Sequence, residues 1–487
     1  MPLNNAALDS QIFDVPALDY SRRSISAGIV HFGIGNFFRS HLAAYTERCL
    51  SHAGQQHWGI VGVGLSGGAR SEAKAAVFRE QDGLYSLTEM APDGTNVVRV
   101  IGAMIDSLLA PADPEAVLRR LADPAIRIVS MTITEGGYLL DQDNRFDADH
   151  PDVRHDLAHP ERPRTVFGFV TEALRRRLDT GAGPFTVLSC DNLRSNGDAA
   201  RAAFTGFARL RDPALAEWID GNVSFPNAMV DRIAPTVSRE LAAELNARSG
   251  LDDRSPVLAE SFSQWVLEDA FCAGRPAWDR VGVQFSPAVH EWEAVKQRML
   301  NASHMMLTFP GMLAGFRFVH EAMTEPKLVE LLDSFMRKDV IPLLTPPEGV
   351  DLDAYRREVL ARFSNAAMMD GLLRVGSDGA SKIPVFMTAT IRLMLEHGYD
   401  MRRPAFLIAS YLEALRGRDQ KGAPIPFEEP TLSDADRAAA TGDDLDAALR
   451  IAPFAGWQRA TTPAFTQAIR DAQTRLRERG VLGAIPE

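Results

Sequence analysis

Up to about residue 285 the sequence alternates strand-sized apolar runs with helix-length segments, and beyond that point the strand signal nearly disappears. Gly28-Ile-Val-His-Phe-Gly33 reads as a strand, followed by a helix from Phe37 to Leu50. His57–Leu65 repeats the pattern, with a helix running through Glu80. Tyr85–Met90 and Asn96–Ile101 read as a hairpin pair. Pro114–Leu121 is a short helix, with Asp113 placed to cap it and Pro114 at its first position. Ile126–Ile133 and Phe185–Cys190 are buried-type strands, separated by a helix from Arg164 to Leu178. Strands alternating with helices imply a largely parallel sheet with helices on both faces. From Pro287 onward, helical periodicity covers Val289–Met306, Leu328–Asp339, Leu352–Phe363, Pro384–His397, Pro404–Arg416, Ser433–Ala440 and Pro463–Arg479. The expected architecture is α/β plus α, with an α/β domain over residues 1–285 and a mostly helical domain over 286–487.

A chain of 487 residues exceeds one ordinary core, and its length implies two or three domains. Its 52 basic against 64 acidic residues give a formal charge of -12, with no long basic run. That balance argues against nucleic acid or an anionic membrane as the main partner. The first twenty residues lack the basic-then-apolar order of a secretory signal, and no apolar run is long enough to span a bilayer. Three widely spaced cysteines (Cys49, Cys190, Cys272) fit neither a disulfide framework nor a zinc ribbon. A cytoplasmic protein is expected.

The first strand runs into Gly33-Ile-Gly35-Asn-Phe37-Phe-Arg39-Ser-His41. Two glycines after a strand and before a helix allow a tight turn and the close approach of a pyrophosphate, the start of a dinucleotide fingerprint. Phe38 replaces the third glycine. The second strand ends Leu65-Ser66-Gly-Gly-Ala-Arg70, with no carboxylate before Glu72 to hold a ribose hydroxyl. Ser66 and Arg70 are suited instead to a 2′-phosphate, or Arg70 is simply the exposed first turn of a helix, so NAD and NADP both stay open. Gly64-Leu-Ser66-Gly-Gly68 also matches a hydrolase nucleophile elbow, although it follows only the second strand and lacks an upstream oxyanion loop. His155 and His159 have the spacing of two imidazoles on one helix face, but Pro151, Pro160 and Pro163 point to a polar surface loop. No phosphate-loop motif of nucleotide kinases is present.

Other polar clusters sit at strand ends or in loops. Glu135 follows a strand in Thr132-Ile-Thr-Glu-Gly-Gly-Tyr138, and Asn192 does so in Ser189-Cys-Asp-Asn-Leu193. Open α/β sheets bind ligands at that edge, although an ordinary polar strand end reads the same way. Asp231-Arg232 between apolar neighbours reads as a structural ion pair. Arg374-Val-Gly-Ser-Asp378-Gly-Ala-Ser-Lys382 is a glycine-broken polar loop. Lys296, Asn301 and His304 share one helical run. At about 100° per residue, Asn301 lies roughly 140° and His304 roughly 80° from Lys296. With Glu293 and Gln297 beside them, the arc is either a solvated face or a lysine-based acid/base site.

Taken in order, these motifs resemble the polyol-specific long-chain dehydrogenases/reductases, and most closely the mannitol-oxidising members. The resemblance covers nearly the whole chain. It rests on the Gly33–His41 turn, Thr132–Tyr138, Ser189–Asn192, Phe225-Pro-Asn-Ala-Met-Val-Asp-Arg-Ile-x-Pro235, Lys296-x4-Asn301-x2-His304 and Arg374-x3-Asp378-Gly-x2-Lys382. It implies an N-terminal Rossmann-type domain, a helical C-terminal domain, and zinc-independent hydride transfer between a polyol and a nicotinamide cofactor, with no metal. Lys296 then corresponds to the general base and Asn192 and Asn301 to amides on the reacting oxygen. His304 corresponds to a hydrogen-bonding partner and Glu135 to a carboxylate assisting proton passage. Asp231, Arg374 and Lys382 correspond to substrate-pocket residues; Gly33, Gly35, Phe37, Arg39, Ser66 and Arg70 fall at the cofactor. Family members that prefer NAD carry a carboxylate after the second strand, where this chain has Gly67, Gly68 and Ala69. NAD is expected first, with NADP use possible.

The expected substrates are D-mannitol and D-fructose, or a close analogue such as D-arabinitol or D-sorbitol, and the family suggests a monomer. A hexuronate (fructuronate or tagaturonate) reductase of the same family is the nearer alternative, and a Ser66 hydrolase the alternative of another class.

Overall fold

The computed structural model describes residues 3–9, 15–16, 18–140, 145–451, 454 and 462–486, the side chain of Glu135 excepted. The chain divides into two compact units, one of Met1–Ala91 with Thr95–His290, the other of Pro92–Gly94 with Glu291–Glu487. Among the described residues no helix is long and apolar enough to cross a membrane.

Among its described residues the first unit has eleven strands: β1 (Ala27–Phe32), β2 (Gly59–Gly64), β3 (Tyr85–Met90), β4 (Asn96–Ile101), β5 (Met104–Leu109), β6 (Ile128–Met131), β7 (Thr186–Ser189), β8 (Ala228–Asp231), β9 (Val257–Glu260), β10 (Gln264–Leu267) and β11 (Gln284–Phe285). Five of them form the expected parallel sheet, in the order β5-β2-β1-β6-β7. Side chains alternate across it, as the two-residue period of a strand requires. Ile29, Ile60, Ile128 and Leu188 enter one core with Leu42, Tyr45 and Trp265. Val30, Val61, Val129 and Val187 enter the other with Phe167, Val170 and Phe204. Both faces are covered, which is why these strands read as unbroken apolar runs. β3 and β4 pair antiparallel as expected, but β9 joins them, and β8, β10 and β11 form a further sheet. These short late strands have only four residues or fewer each, too few for alternation to reveal.

Three local expectations are corrected. The Phe37–Leu50 helix is two helices, Asn36–Ser40 and Leu42–Leu50, broken at His41 (φ -112°, ψ -91°). The His41 Nε2 donates to the Gln264 carbonyl at 2.9 Å, and its ring packs on Phe37, Tyr45 and Trp265, holding the break. The supposed loop around His155 is a helix, Pro151–Ala158: Pro151 sits at its first position, where its missing N–H costs nothing. Arg232 does pair, but with Glu89 and the carbonyls of Ser40 and Glu260, because its side chain crosses toward β3. Asp113 caps Pro114–Ala122 as expected, accepting from the Ala116 amide.

The second unit is helical in its described residues, apart from isolated bridges. Its core gathers Met299, Met306, Phe309, Leu332, Phe335, Met387, Phe406 and Ile408. Two of its helices change to π geometry, at Lys296–Asn301 and at Phe335–Val340. Asp339 in the second of these is bonded by Arg403 through two 2.6 Å contacts, with both side chains almost wholly buried.

Candidate active site

In the first unit the C-terminal ends of β1, β2, β5 and β6 open onto a cavity of about 400 Å³. Its lining includes Gly33, Ile34, Gly35, Gly64, Leu65, Ser66, Ser71, Lys74 and Thr132–Thr134. Gly33 makes the turn possible. Its φ is +98°, and a Cβ there would sit 2.2 Å from the Thr132 carbonyl oxygen. The turn is pinned from below. His31, fully buried and stacked 3.8 Å from Phe38, lies within hydrogen-bond distance of Ser130 Oγ (2.8 Å) and Thr132 Oγ1 (3.1 Å). Thr132 Oγ1 donates to the Gly33 carbonyl at 3.0 Å. Burial pushes the His31 imidazole down to about 3, so it is a neutral strut at physiological pH.

The end of the cavity beyond β2 has hydroxyl and cationic groups. Ser66 and Ser71 line it, and Lys74 donates to the Ile34 carbonyl between the two glycines. Desolvation, with Arg39 and Arg70 nearby, lowers the Lys74 amine to about 8. Among the described lining residues there is no carboxylate, and no histidine that would activate Ser66 as a hydrolase nucleophile. Arg70 is exposed on the first turn of the Ala69–Glu80 helix. Lys74, one helical turn after Arg70, escaped the sequence reading because a lysine on a helix is ordinarily solvated; the i, i+4 spacing was its available signal.

Besides Arg70, two of the expected cofactor residues do not line this cavity. Arg39 is a core residue: its guanidinium donates to the Ser255 carbonyl and Asn36 Oδ1 and lies over Tyr85. Phe37 stacks on His41. Neither lines the cavity.

Beside the turn, the ends of β6 and β7 are tied by a residue the sequence reading passed over. Asp191 is buried and accepts from the amides of Ile133 (3.1 Å) and Thr134 (2.8 Å) and from Tyr138 Oη (2.8 Å). Asn196 in turn donates to the carbonyls of Asp191 and Ala228. This clasp fixes the backbone of Glu135, in the one-turn helix Glu135–Tyr138, and sets exposed Asn192 at the bend after β7. Asp231 ends β8 and is buried. The His155 and His159 rings lie 5.0 Å apart and tilted by 46°, and among the described residues no group of three potential metal ligands forms.

In the second unit Lys296 and Asn301 are each only 8 % exposed, so the solvated-face reading fails for them. They are the first and last residues of the π turn, in which the Ala302 amide donates to the Gln297 carbonyl five residues back. An i→i+5 ladder brings residue i+5 back over residue i, so Asn301 falls on the face of Lys296 rather than well round the helix. The α-helical angle expected from sequence is therefore corrected. Asn301 Nδ2 is buried with no hydrogen-bond partner among the described residues, a state that costs about 1–3 kcal/mol unless an acceptor arrives. His304 follows one turn later, its ring stacked 4.0 Å from Phe363. Arg374 is mostly exposed and donates to Asp370 through Nε (2.9 Å) and Nη2 (2.5 Å). Lys382 donates to the carbonyls of Val375 and Ser377, folding its amine over the loop that Asp378 closes at φ +58°.

Residues 27–280 match the family described as the mannitol dehydrogenase Rossmann domain, and residues 288–476 match the mannitol dehydrogenase C-terminal domain. A polyol:NADP oxidoreductase of Gluconobacter oxydans (strain 621H) is 53% identical over 485 residues, covering 99% of this chain and 100% of its own. A crystal structure of D-sorbitol dehydrogenase in substrate-free form superposes with a TM-score of 0.92 at 53% identity, covering 100% of both chains. The Pseudomonas fluorescens mannitol 2-dehydrogenase in ternary complex with NAD and D-mannitol superposes at 0.91 with 40% identity, covering 100% of this chain and 99% of its own.

Proposed function

Because the chain belongs to the mannitol dehydrogenase family of oxidoreductases, we propose that it interconverts a polyol and its ketose by hydride transfer with NAD or NADP, using Lys296 as acid and base. D-mannitol and D-fructose are the first pair to consider, with D-sorbitol and D-arabinitol as close analogues. The observation that carries this reading is the buried Lys296–Asn301 pair on a π turn, where the amide donor has no acceptor among the described residues.

The cofactor's chemistry fits the first unit's cavity. The Gly33–Gly35 turn leaves room for a pyrophosphate, since a Cβ at Gly35 would meet nothing within 4 Å. Ser66, Ser71 and Lys74, with Arg70 beyond them, supply donors and positive charge where a 2′-phosphate would lie. Such a cradle favours NADP, while NAD needs only the turn and the ribose contacts. When bound, the nicotinamide supplies the hydride acceptor.

For oxidation, neutral Lys296 Nζ takes the proton of the secondary hydroxyl as hydride leaves the same carbon. Asn301 Nδ2, with Asn192, donates to the oxygen as it gains alkoxide character, a role that is strongest where water is excluded. His304, held flat by Phe363, orients the oxygen. Glu135 carries the proton onward to solvent. In the reverse direction protonated Lys296 returns the proton to the ketose oxygen as hydride reaches the carbon. Asp231, Arg374 and Lys382 read the remaining hydroxyls. This scheme needs no zinc, because the amides and the lysine cover both the charge and the proton.

The test is a spectrophotometric panel of polyols, ketoses and hexuronates with both cofactors. Turnover of mannitol or sorbitol, lost in Lys296→Ala with NADPH binding kept, is the expected result. Turnover of hexuronates alone would replace the substrate assignment, and a fully active Lys296→Ala would remove the lysine from the mechanism.

A further inference from the structure

We propose that Arg298 is a positioning residue, whose buried guanidinium clamps the π turn bearing Lys296 and Asn301 to the helix bearing Lys382. The inference rests on the reading of Lys296 as the base.

Arg298 lies inside the π turn and is 8 % exposed. Its Nε donates to Thr390 Oγ1 at 2.9 Å, and its Nη1 to the Leu343 carbonyl at 2.9 Å. Nη2 is buried with no hydrogen-bond partner, and no carboxylate lies within ion-pair distance, among the described residues. Burial alone pulls the guanidinium down to about 10. An arginine kept in the interior without a counter-ion is costly, and an apolar side chain of similar length would pack there without that cost. The guanidinium adds direction: its planar fork fixes two bonds at set angles, which no aliphatic chain or ammonium reproduces.

The two acceptors show what is being held. Thr390 is fully buried on the Gly379–Glu396 helix, eight residues beyond Lys382, or roughly 12 Å along the axis. Leu343 belongs to the Ile341–Leu343 turn that follows the second π turn. Arg298 therefore joins three elements of the unit at one point. The π turn needs such a hold. A slip to the α ladder keeps the helix intact but carries Asn301 off the face of Lys296, so the site depends on a register that backbone hydrogen bonding alone does not favour.

The experiment uses the full-length enzyme and compares Thr390→Val, which keeps shape and both charges, with Arg298→Lys and Lys296→Ala. Thr390→Val is expected to lower kcat about tenfold or more, with the polyol KM within about threefold. NADPH affinity, read by fluorescence, stays at the wild-type value. The acid limb of the kcat–pH profile moves to higher pH by about half a unit or more, as the displaced lysine regains solvent. Arg298→Lys shows at least the same loss, since its ammonium cannot bridge both acceptors. Two results overturn the proposal: wild-type kcat in Thr390→Val, or a kcat loss matched by a lost NADPH-binding fraction with the pH limb unmoved. An active Lys296→Ala instead refutes the underlying reading, whereas an inactive one beside a wild-type Thr390→Val refutes this inference alone.

Discussion

Replacing each of the two turn glycines by alanine separates what the fold requires from what the ligand requires. At Gly33 the new Cβ falls 2.2 Å from the Thr132 carbonyl oxygen and 2.9 Å from Thr132 Oγ1, with φ at +98°. The positive φ costs about 1–2 kcal/mol for an L residue. The clash with backbone adds about 1–3 kcal/mol, since β1 and β6 are locked by their ladder and cannot part cheaply. A total of about 2–5 kcal/mol lowers Tm by roughly 4–10 °C for a unit of this size. At Gly35 a Cβ meets nothing within 4 Å, and the backbone (φ -90°, ψ 177°) suits any residue. Gly35→Ala should therefore melt within about 1 °C of the parent, because surface changes of this kind stay within about 0.5 kcal/mol. Its effect appears with ligand: the methyl group occupies the approach to the pyrophosphate, so the Kd for NADPH rises about tenfold or more, or 1.4 kcal/mol. Differential scanning fluorimetry with and without cofactor, together with fluorescence titration, reads both quantities. Equal melting losses in the two variants would refute the reasoning, as would an unchanged Kd in Gly35→Ala.

Lys296→Ala should lower kcat by about 10²–10⁴-fold, and Asn301→Ala by about 10²–10³-fold with little loss of Tm, because Nδ2 makes no bond to lose among the described residues; steady-state kinetics and melting check both. Activity should survive exhaustive chelation, and a loss that zinc restores would contradict the metal-free scheme. Desolvation lowers the Lys74 amine to about 8, leaving it cationic below that pH, so NADP affinity should weaken as pH rises through about 8 while NAD affinity does not. Lys74→Met should abolish that difference, as followed by titration calorimetry. Truncating Arg403 to alanine leaves Asp339, already raised above its usual range by burial, without its partner. A loss of about 3–5 kcal/mol is expected in denaturant unfolding.

The parallel sheet was legible because each central strand is buried on both faces and so appears as a continuous apolar run between turn residues. The helical unit was legible from its 3.6-residue period. Short strands such as β8 and β11 were not, since four residues or fewer cannot establish a period. Gly33 and Gly35 line the first unit's cavity, where their spacing after a strand put them, but the place of Arg39 was not legible: whether an arginine faces a ligand or a core depends on partners far away in sequence, here Ser255 and Tyr85. Asp191 and His31 were missed for the same reason, because their work is to hold other residues. The burial of Lys296 was invisible locally, as its neighbours Glu293 and Gln297 gave the arc a solvated look. The family resemblance, not the helix, pointed to it.

The π turn also has a consequence for how this helix tolerates changes in length. A π ring contains one residue more than an α ring, so Lys296–Asn301 is equivalent to an α-helix carrying a single-residue insertion. Deleting one residue between Lys296 and Asn301 would let the ladder close as ordinary α-helix. The shortened protein is expected to fold at least as readily and to keep its amide over the lysine, since residues four apart share one face of an α-helix. A single-residue deletion in this stretch is thus the length change the helix absorbs most easily, and an active homologue one residue shorter here would carry the same pair on an ordinary α-helical turn.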